Sequence, residues 1–212
     1  MAYRGFVRLL LTAAIVISVA GCFARQPKHV LKKDAPAGVR HIIVMPVQSS
    51  AKDDVAAGVV RRIIVNELYF KGYSKIPLDV VDSKLRVLYP EKSSPGEGTI
   101  PPTAVGAAVG GDAVLYCTIL NWDKSFFGLY GSQKVELVFE MRGAAAGETI
   151  WSAQESGCDR FFDITPERVV NKCHQCFETI VNGIVGKALS TLPDGPNALA
   201  AAPQEKKWWR FW

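Results

Sequence analysis

The cysteines are the residues of this sequence whose type and spacing could do chemistry. Cys173 and Cys176 are separated by two residues, which is the spacing of redox dithiols, and a helix N-terminus would lower a thiol pKa. The surrounding apolar pattern instead places both residues well inside a helix, with no Trp before them. This position favours structural disulfides or buried thiols. A periplasmic thiol-disulfide redox protein using Cys173 and Cys176 is the alternative hypothesis.

The same segment could in principle bind a metal ion or attach a haem. Cys173 and Cys176 could form a zinc site with His174 and Cys158, but no second paired motif supplies the usual ligand set. Haem attachment requires His directly after the second Cys, and Phe177 occupies that position. The sequence therefore predicts no metal and no cofactor.

The remaining chemical signal is Cys22, which directly follows Val19-Ala20-Gly21. Arg4 and Arg8 precede an uncharged apolar run over residues 9–20, which is the layout of a secretory signal and is too short to span a bilayer. A Cys after Ala-Gly is typical of a lipobox. We expect the Cys22 thiol to carry a diacylglyceryl group, cleavage before Cys22, and firm anchoring by several acyl chains.

The length, charge and cysteine count of the exported protein limit its domain number, its partners and its disulfides. Removing residues 1–21 leaves 191 of 212 residues, enough for one domain, and loss of Arg4 and Arg8 reduces the net charge from +5 to +3. No central basic face is visible, so no nucleic-acid partner is predicted. In an oxidising compartment Cys117, Cys158, Cys173 and Cys176 could form disulfides, and their three possible pairings stay open.

Residues 22–38 are polar and interrupted by Pro and Gly, which predicts a tether. Phe23 and Ala24 follow Cys22, where an Asp would mark inner-membrane retention. The sequence therefore predicts a protein anchored at the periplasmic face of the outer membrane. Its expected partners are the membrane, through the acyl chains, and other envelope proteins, with self-association left open.

Residues 39–192 are predicted to form one α/β domain of the mixed α+β kind, in which helices pack on a single mixed β-sheet. The β-branched run of residues 39–47 indicates a strand buried on both faces. Two adjacent apolar stripes, one of which begins with Val55, Val59 and Ile63, predict a helix from Asp53 to Gly72. Further predictions are a short strand (residues 73–76), helices (77–88, 103–109 and 165–192) and a meander of three strands (112–122, 133–142 and 149–153).

Two aromatic segments could contact a partner or a membrane. Phe126, Phe127 and Tyr130 lie between two predicted strands, in an exposed loop or in a lid on the core of the domain. Residues 193–212 form a Pro- and Ala-rich linker and a tail. The tail contains Lys206 and Lys207 with Trp208, Trp209 and Trp212, a composition that favours a bilayer headgroup zone or a groove of the protein itself.

The domain resembles a family of bacterial lipoproteins of unknown function, first noted as a neisserial genome-derived antigen. A related pattern of Gly, apolar residue and Trp occurs in the curli-secretion lipoprotein CsgG. The resemblance implies a fold similar to the N-terminal domain of TolB and a role as an envelope accessory or transport-associated module, with no catalytic residue. It depends on Ile43-Val44-Met45-Pro46, Glu67-Leu68, Lys71-Gly72-Tyr73, Pro77-Leu78-Asp79-Val80-Val81, Gly111-Asp112-Ala113-Val114-Leu115-Tyr116, Asn121-Trp122 and Gly147-Glu148-Thr149-Ile150-Trp151.

The leading hypothesis is a non-catalytic outer-membrane lipoprotein that acts as a cell-envelope accessory or assembly factor, for example in secretion or transport. Hydrolase motifs such as Gly-x-Ser-x-Gly and His-Glu-x-x-His do not occur in the sequence. A pore would require membrane strands, and the loop over residues 124–131 is too short for them without a large rearrangement.

Overall fold

The computed structural model describes residues 28–31, 38–50, 54–88 and 100–198. Within these ranges the strands and helices alternate irregularly along the chain. The strands are β1 (Lys28–Leu31), β2 (Ile42–Val44), β3 (Gln48–Ser49), β4 (Ala113–Phe127), β5 (Tyr130–Gly143) and β6 (Thr149–Phe162). The helices are α1 (Asp54–Phe70), α2 (Leu78–Leu88), α3 (Pro102–Val109) and α4 (Pro166–Leu189).

All these strands belong to one mixed sheet with the order β1-β6-β5-β4-β2, and β3 also pairs with β4. β4, β5 and β6 form an antiparallel meander, whereas β2 and β3 run parallel to β4. β1 is antiparallel to β6, with Lys28 opposite Gln154 and Leu31 opposite Trp151. The predicted single mixed sheet with packing helices is confirmed.

The main core lies between one face of the sheet and the helices α1 and α4. Alternate residues of β5 point into it, so Val135, Leu137, Phe139 and Met141 are buried, as their spacing predicts. Trp151 of β6 is also buried there, and its indole Nε1 donates to Thr191 Oγ1 at 3.1 Å. The core is completed by apolar residues of α1 and α4, among them Val60, Ile64, Val181, Val185 and Leu189.

A second, smaller core covers the opposite face of the sheet near β2. Ile43, Met45 and Val114 pack there with Val81 of α2 and Val105 of α3. β2 is therefore buried on both faces, which explains the nearly continuous β-branched run in its sequence. On β5, opposite Val114 and Tyr116 of β4, this face carries the polar residues Arg142 and Glu140.

The ends of α1 and α4 carry residue types that favour helix termination and capping. Thr165 is the N-cap of α4, where its Oγ1 accepts from the Arg168 N–H at 3.4 Å, and Pro166 occupies the first turn. Gly72 follows α1 with a φ of 89°, a left-handed conformation that favours glycine. The linker predicted from residue 193 begins on this turn, because Gly195 N donates to Lys71 O at 2.8 Å.

Some local predictions were wrong. Residues 73–76 form no strand; the pairing is one parallel bridge between His41 and Ser74, and Tyr73 instead turns its ring into the core. Its hydroxyl donates to Pro193 O at 2.8 Å, a contact distant in sequence. Val55 was placed in the apolar stripe of α1 but is 78% exposed. Among the described helices, none has both the length and the apolar character to cross a bilayer.

Candidate functional site

The aromatic segment predicted as a loop is instead the end of a long β-hairpin. β4 continues through Phe127 and β5 begins at Tyr130, so only Gly128 and Leu129 form the turn. Gly128 has a φ of 58°, which suits a tight hairpin turn. Cross-strand pairing thus continues to the tip. Both strands are longer than their alternating sequence patterns indicate.

The third strand of the meander ends beside this turn. Phe127 is opposite Tyr130, and Tyr130 is opposite Phe162, so the three aromatic residues occupy one row across β4, β5 and β6. Phe127 is 85% exposed and Phe162 is 62% exposed. We call the exposed apolar residues at this end of the sheet the tip surface; they are Phe126, Phe127, Leu129, Tyr130, Phe162 and Ile164.

The sequence-predicted residues Phe126, Phe127 and Tyr130 are therefore close together and exposed, and whether they contact a partner stays a prediction. Sequence reasoning missed Phe162 and Ile164. Their signal was the apolar group just before the cap of α4, interrupted only by Asp163. It was missed because the predicted strand stopped at Ala153, whereas β6 extends to Phe162.

A compact cluster under the tip surface fixes its position. On the helix-covered face, Phe161 packs with Val169 and Cys173 of α4. A Cβ added to Gly131 would collide with the Phe161 ring and lie 2.9 Å from Val169 Cγ1, so glycine permits this close approach of strand and helix. This cluster fills the helix-covered face at the tip, whereas Phe127, Tyr130 and Phe162 lie on the opposite face of the sheet.

Ionic contacts join the end of β6 to the first turns of α4. Asp163 accepts from the Ile164 N–H at 2.7 Å, and Lys172 Nζ lies 3.1 Å from Asp163 Oδ2. These hydrogen bonds, with the nearby charge of Arg168, lower the pKa of Asp163. Lys172 also donates to Phe162 O at 3.1 Å. The cations of α4 thereby hold the last residues of β6 in place.

The buried side-chain amide of Gln133 links β4, β5 and α4 next to this cluster. With its amide oriented to satisfy both neighbours, Gln133 accepts from Trp122 Nε1 at 2.7 Å and donates to Cys173 O at 2.8 Å. Trp122 stacks on Phe177 with ring centroids 4.4 Å apart, and Lys124 Nζ lies 3.7 Å from its ring centre. Gln133 is 1% exposed, so this polar bridge serves the packing of the hairpin on α4.

The four cysteine residues that the structure describes differ in exposure. Cys117 and Cys173 are buried thiols and Cys176 is a partly buried one, whereas Cys158 on β6 is exposed. Burial raises the pKa of Cys117 and Cys173, and burial followed by the hydrogen bond to Asp159 raises that of Cys176. A redox thiol requires the opposite shift, so the geometry does not favour the redox hypothesis.

Other predicted site residues fall outside the description. Cys22 and the tail residues Trp208, Trp209 and Trp212 lie outside the described residues, as does the side chain of His174. Within the described ranges, no three His, Cys, Asp or Glu side chains are arranged to hold a metal ion.

Comparison with known proteins gives the fold. No protein-family model matches the sequence, and no curated protein matches it. Two solved structures of the PelC dodecamer from Paraburkholderia phytofirmans are similar, with TM-scores of 0.52 and 0.53 at 14% and 15% identity. Each match covers 80% of this chain and 97% or 99% of the PelC chain.

The lipoprotein GNA1162 from Neisseria meningitidis is also similar, with a TM-score of 0.49 at 18% identity, over 66% of this chain and 97% of that chain. The relationship to TolB and CsgG stays a prediction. The two PelC matches, at 14% and 15% identity, establish a shared fold and no more: the chain folds like the subunit of PelC.

Proposed function

We propose that this chain is a lipid-anchored protein of the bacterial cell envelope that works by binding other proteins rather than by catalysis. Its expected role is that of an accessory or assembly factor, for example in secretion or transport. We place it at the periplasmic face of the outer membrane, because Phe23 and Ala24 replace the retention Asp after Cys22.

The observation that carries the proposal is the lipobox cysteine, Cys22, which precedes a domain with the PelC fold. An acyl anchor would confine the domain to a membrane surface, where its local concentration favours assembly. The PelC structures are dodecamers, and we propose that this chain likewise assembles with copies of itself or with other envelope proteins.

The use of the buried polar residues supports a binding role. Arg61 pairs with Asp82 at 2.7 Å, and Glu155 pairs with Lys187 at 2.8 Å, each tie joining a helix to another element. Gln133 joins the hairpin to α4. Because these buried polar groups hold the fold together, we propose that the exposed surface carries the function.

Exposed apolar residues away from the tip surface provide candidate assembly contacts. Tyr69 and Phe70 end α1 with 57% and 77% of their surface exposed, and Val87 of α2 is 82% exposed. Large exposed apolar side chains are typical of protein interfaces when they adjoin one another, and the Tyr69 and Phe70 rings lie 6.0 Å apart.

The anchor is tested by replacing Cys22→Ser in the full chain and separating membrane from soluble fractions. We expect the parent protein to be acylated, cleaved before Cys22 and recovered with outer membranes, and the variant to lose acylation and to keep residues 1–21. Cys158→Ser, which changes an exposed cysteine of β6, is the matched control and should fractionate like the parent. A Cys22→Ser protein that matures and fractionates normally would refute the anchor.

Assembly is tested by crosslinking the acylated protein in its own envelope, followed by mass spectrometry. We expect crosslinks from α1 or α2 to a second copy or to another envelope protein. A chain that crosslinks to no other protein and has the mass of a monomer in detergent would refute the binding role.

A further inference from the structure

We draw no further inference here: the strongest candidate, the exposed aromatic row of Phe127, Tyr130 and Phe162 at the hairpin end of the sheet, lies on the face opposite the packed Phe161 cluster, and nothing in the structure shows what covers it.

Discussion

Desolvation controls the reactivity of the thiols on α4. Burial raises the pKa of Cys173 and Cys176, and Asp159 adds to the rise at Cys176. Because the thiolate is the reactive form, we expect iodoacetamide to alkylate both residues at pH 7 at least tenfold more slowly than glutathione. Peptide mass spectrometry after timed alkylation measures this rate. Rapid alkylation at Cys173, with a midpoint near pH 7, would instead support a redox role.

A single carboxylate gives the meander a pH-dependent contribution to stability. Glu140 accepts from Arg142 Nε and Nη2, both at 2.9 Å, and from Thr149 Oγ1 at 2.6 Å. The Arg142 hydrogen bonds, followed by that of Thr149, lower the pKa of Glu140 in the folded state. A lowered folded-state pKa means that the stabilisation is complete above the unfolded value of about 4.3 and is lost as the pH falls through the folded-state pKa.

We therefore expect Glu140→Gln to be less stable than the parent at pH 7, with the difference shrinking as the pH falls below about 4. Urea unfolding at pH 7 and at pH 3 measures both free energies. Glu148 is an exposed acid in the turn between β5 and β6, and Glu148→Gln is the control. It should change the free energy of unfolding less than Glu140→Gln at either pH. A difference that grows on acidification would contradict this assignment.

At the scale of elements, Arg61 ties α1 to β2 and α2. Its Nη1 binds the Asp82 carboxylate at 2.7 and 3.0 Å, while Nε and Nη2 donate to Val44 O at 3.2 and 3.0 Å. Lysine keeps the charge but lacks the planar fork that makes these bonds together. We expect Arg61→Lys to lower the free energy of unfolding by about 1–3 kcal/mol.

Arg62→Lys is the matched control, because Arg62 is the next residue on α1 and is exposed. Its effect on denaturant unfolding should stay within about 0.5 kcal/mol. Equal effects of the two substitutions would show that Arg61 contributes through helix propensity alone.

Two glycines should respond in opposite directions to the same substitution. In Gly131→Ala the new methyl group would displace the Phe161 ring and Val169, so we expect a loss of about 1–3 kcal/mol. Gly58 lies on the exposed face of α1 with no atom near its added Cβ. Gly58→Ala should therefore gain about 0.5–1 kcal/mol. Thermal unfolding of both variants measures the signs, and a stabilising Gly131→Ala would refute the tight packing under the tip.

At the scale of the whole molecule, burial is unequal along the sheet. β2 and the first half of β4 are covered on both faces, whereas the hairpin end is covered by α4 on one face only. We expect amides of Ile43, Val114 and Leu137 to exchange hydrogen only through global unfolding, and amides of residues 125–131 to exchange through smaller openings. Native-state hydrogen exchange in low denaturant measures both. Exchange of residues 125–131 as slowly as Ile43 would contradict this gradient.

The same gradient explains which parts of the fold could be predicted. Runs with strong local signals were predicted well, such as the β-branched run around Ile43 and the capping sequence Thr165-Pro166. The hairpin end was predicted as a loop of four bulky residues between two strands. Register with β6 extends these strands, and register is a long-range property that no local window contains.

Contacts distant in sequence account for the remaining errors. Tyr73 and its neighbours have the composition of a strand, but Tyr73 is used to hold residue 193 through its hydroxyl. Glu136 alternates with the core residues of β5, yet it is only 8% exposed and accepts from Gln154 Nε2 at 2.7 Å. Strand propensity cannot predict these contacts, because the partner residues are distant in the sequence.

The sequence by itself determined the expected export and anchoring chemistry at Cys22, the mixed sheet with helices, and most element positions, because these depend on local composition and periodicity. Tertiary structure decided the length of the hairpin, the row formed by Phe127, Tyr130 and Phe162, and the raised pKa of the α4 thiols. Each of these depends on which distant residues are brought alongside, and hence on register, burial and the exclusion of water.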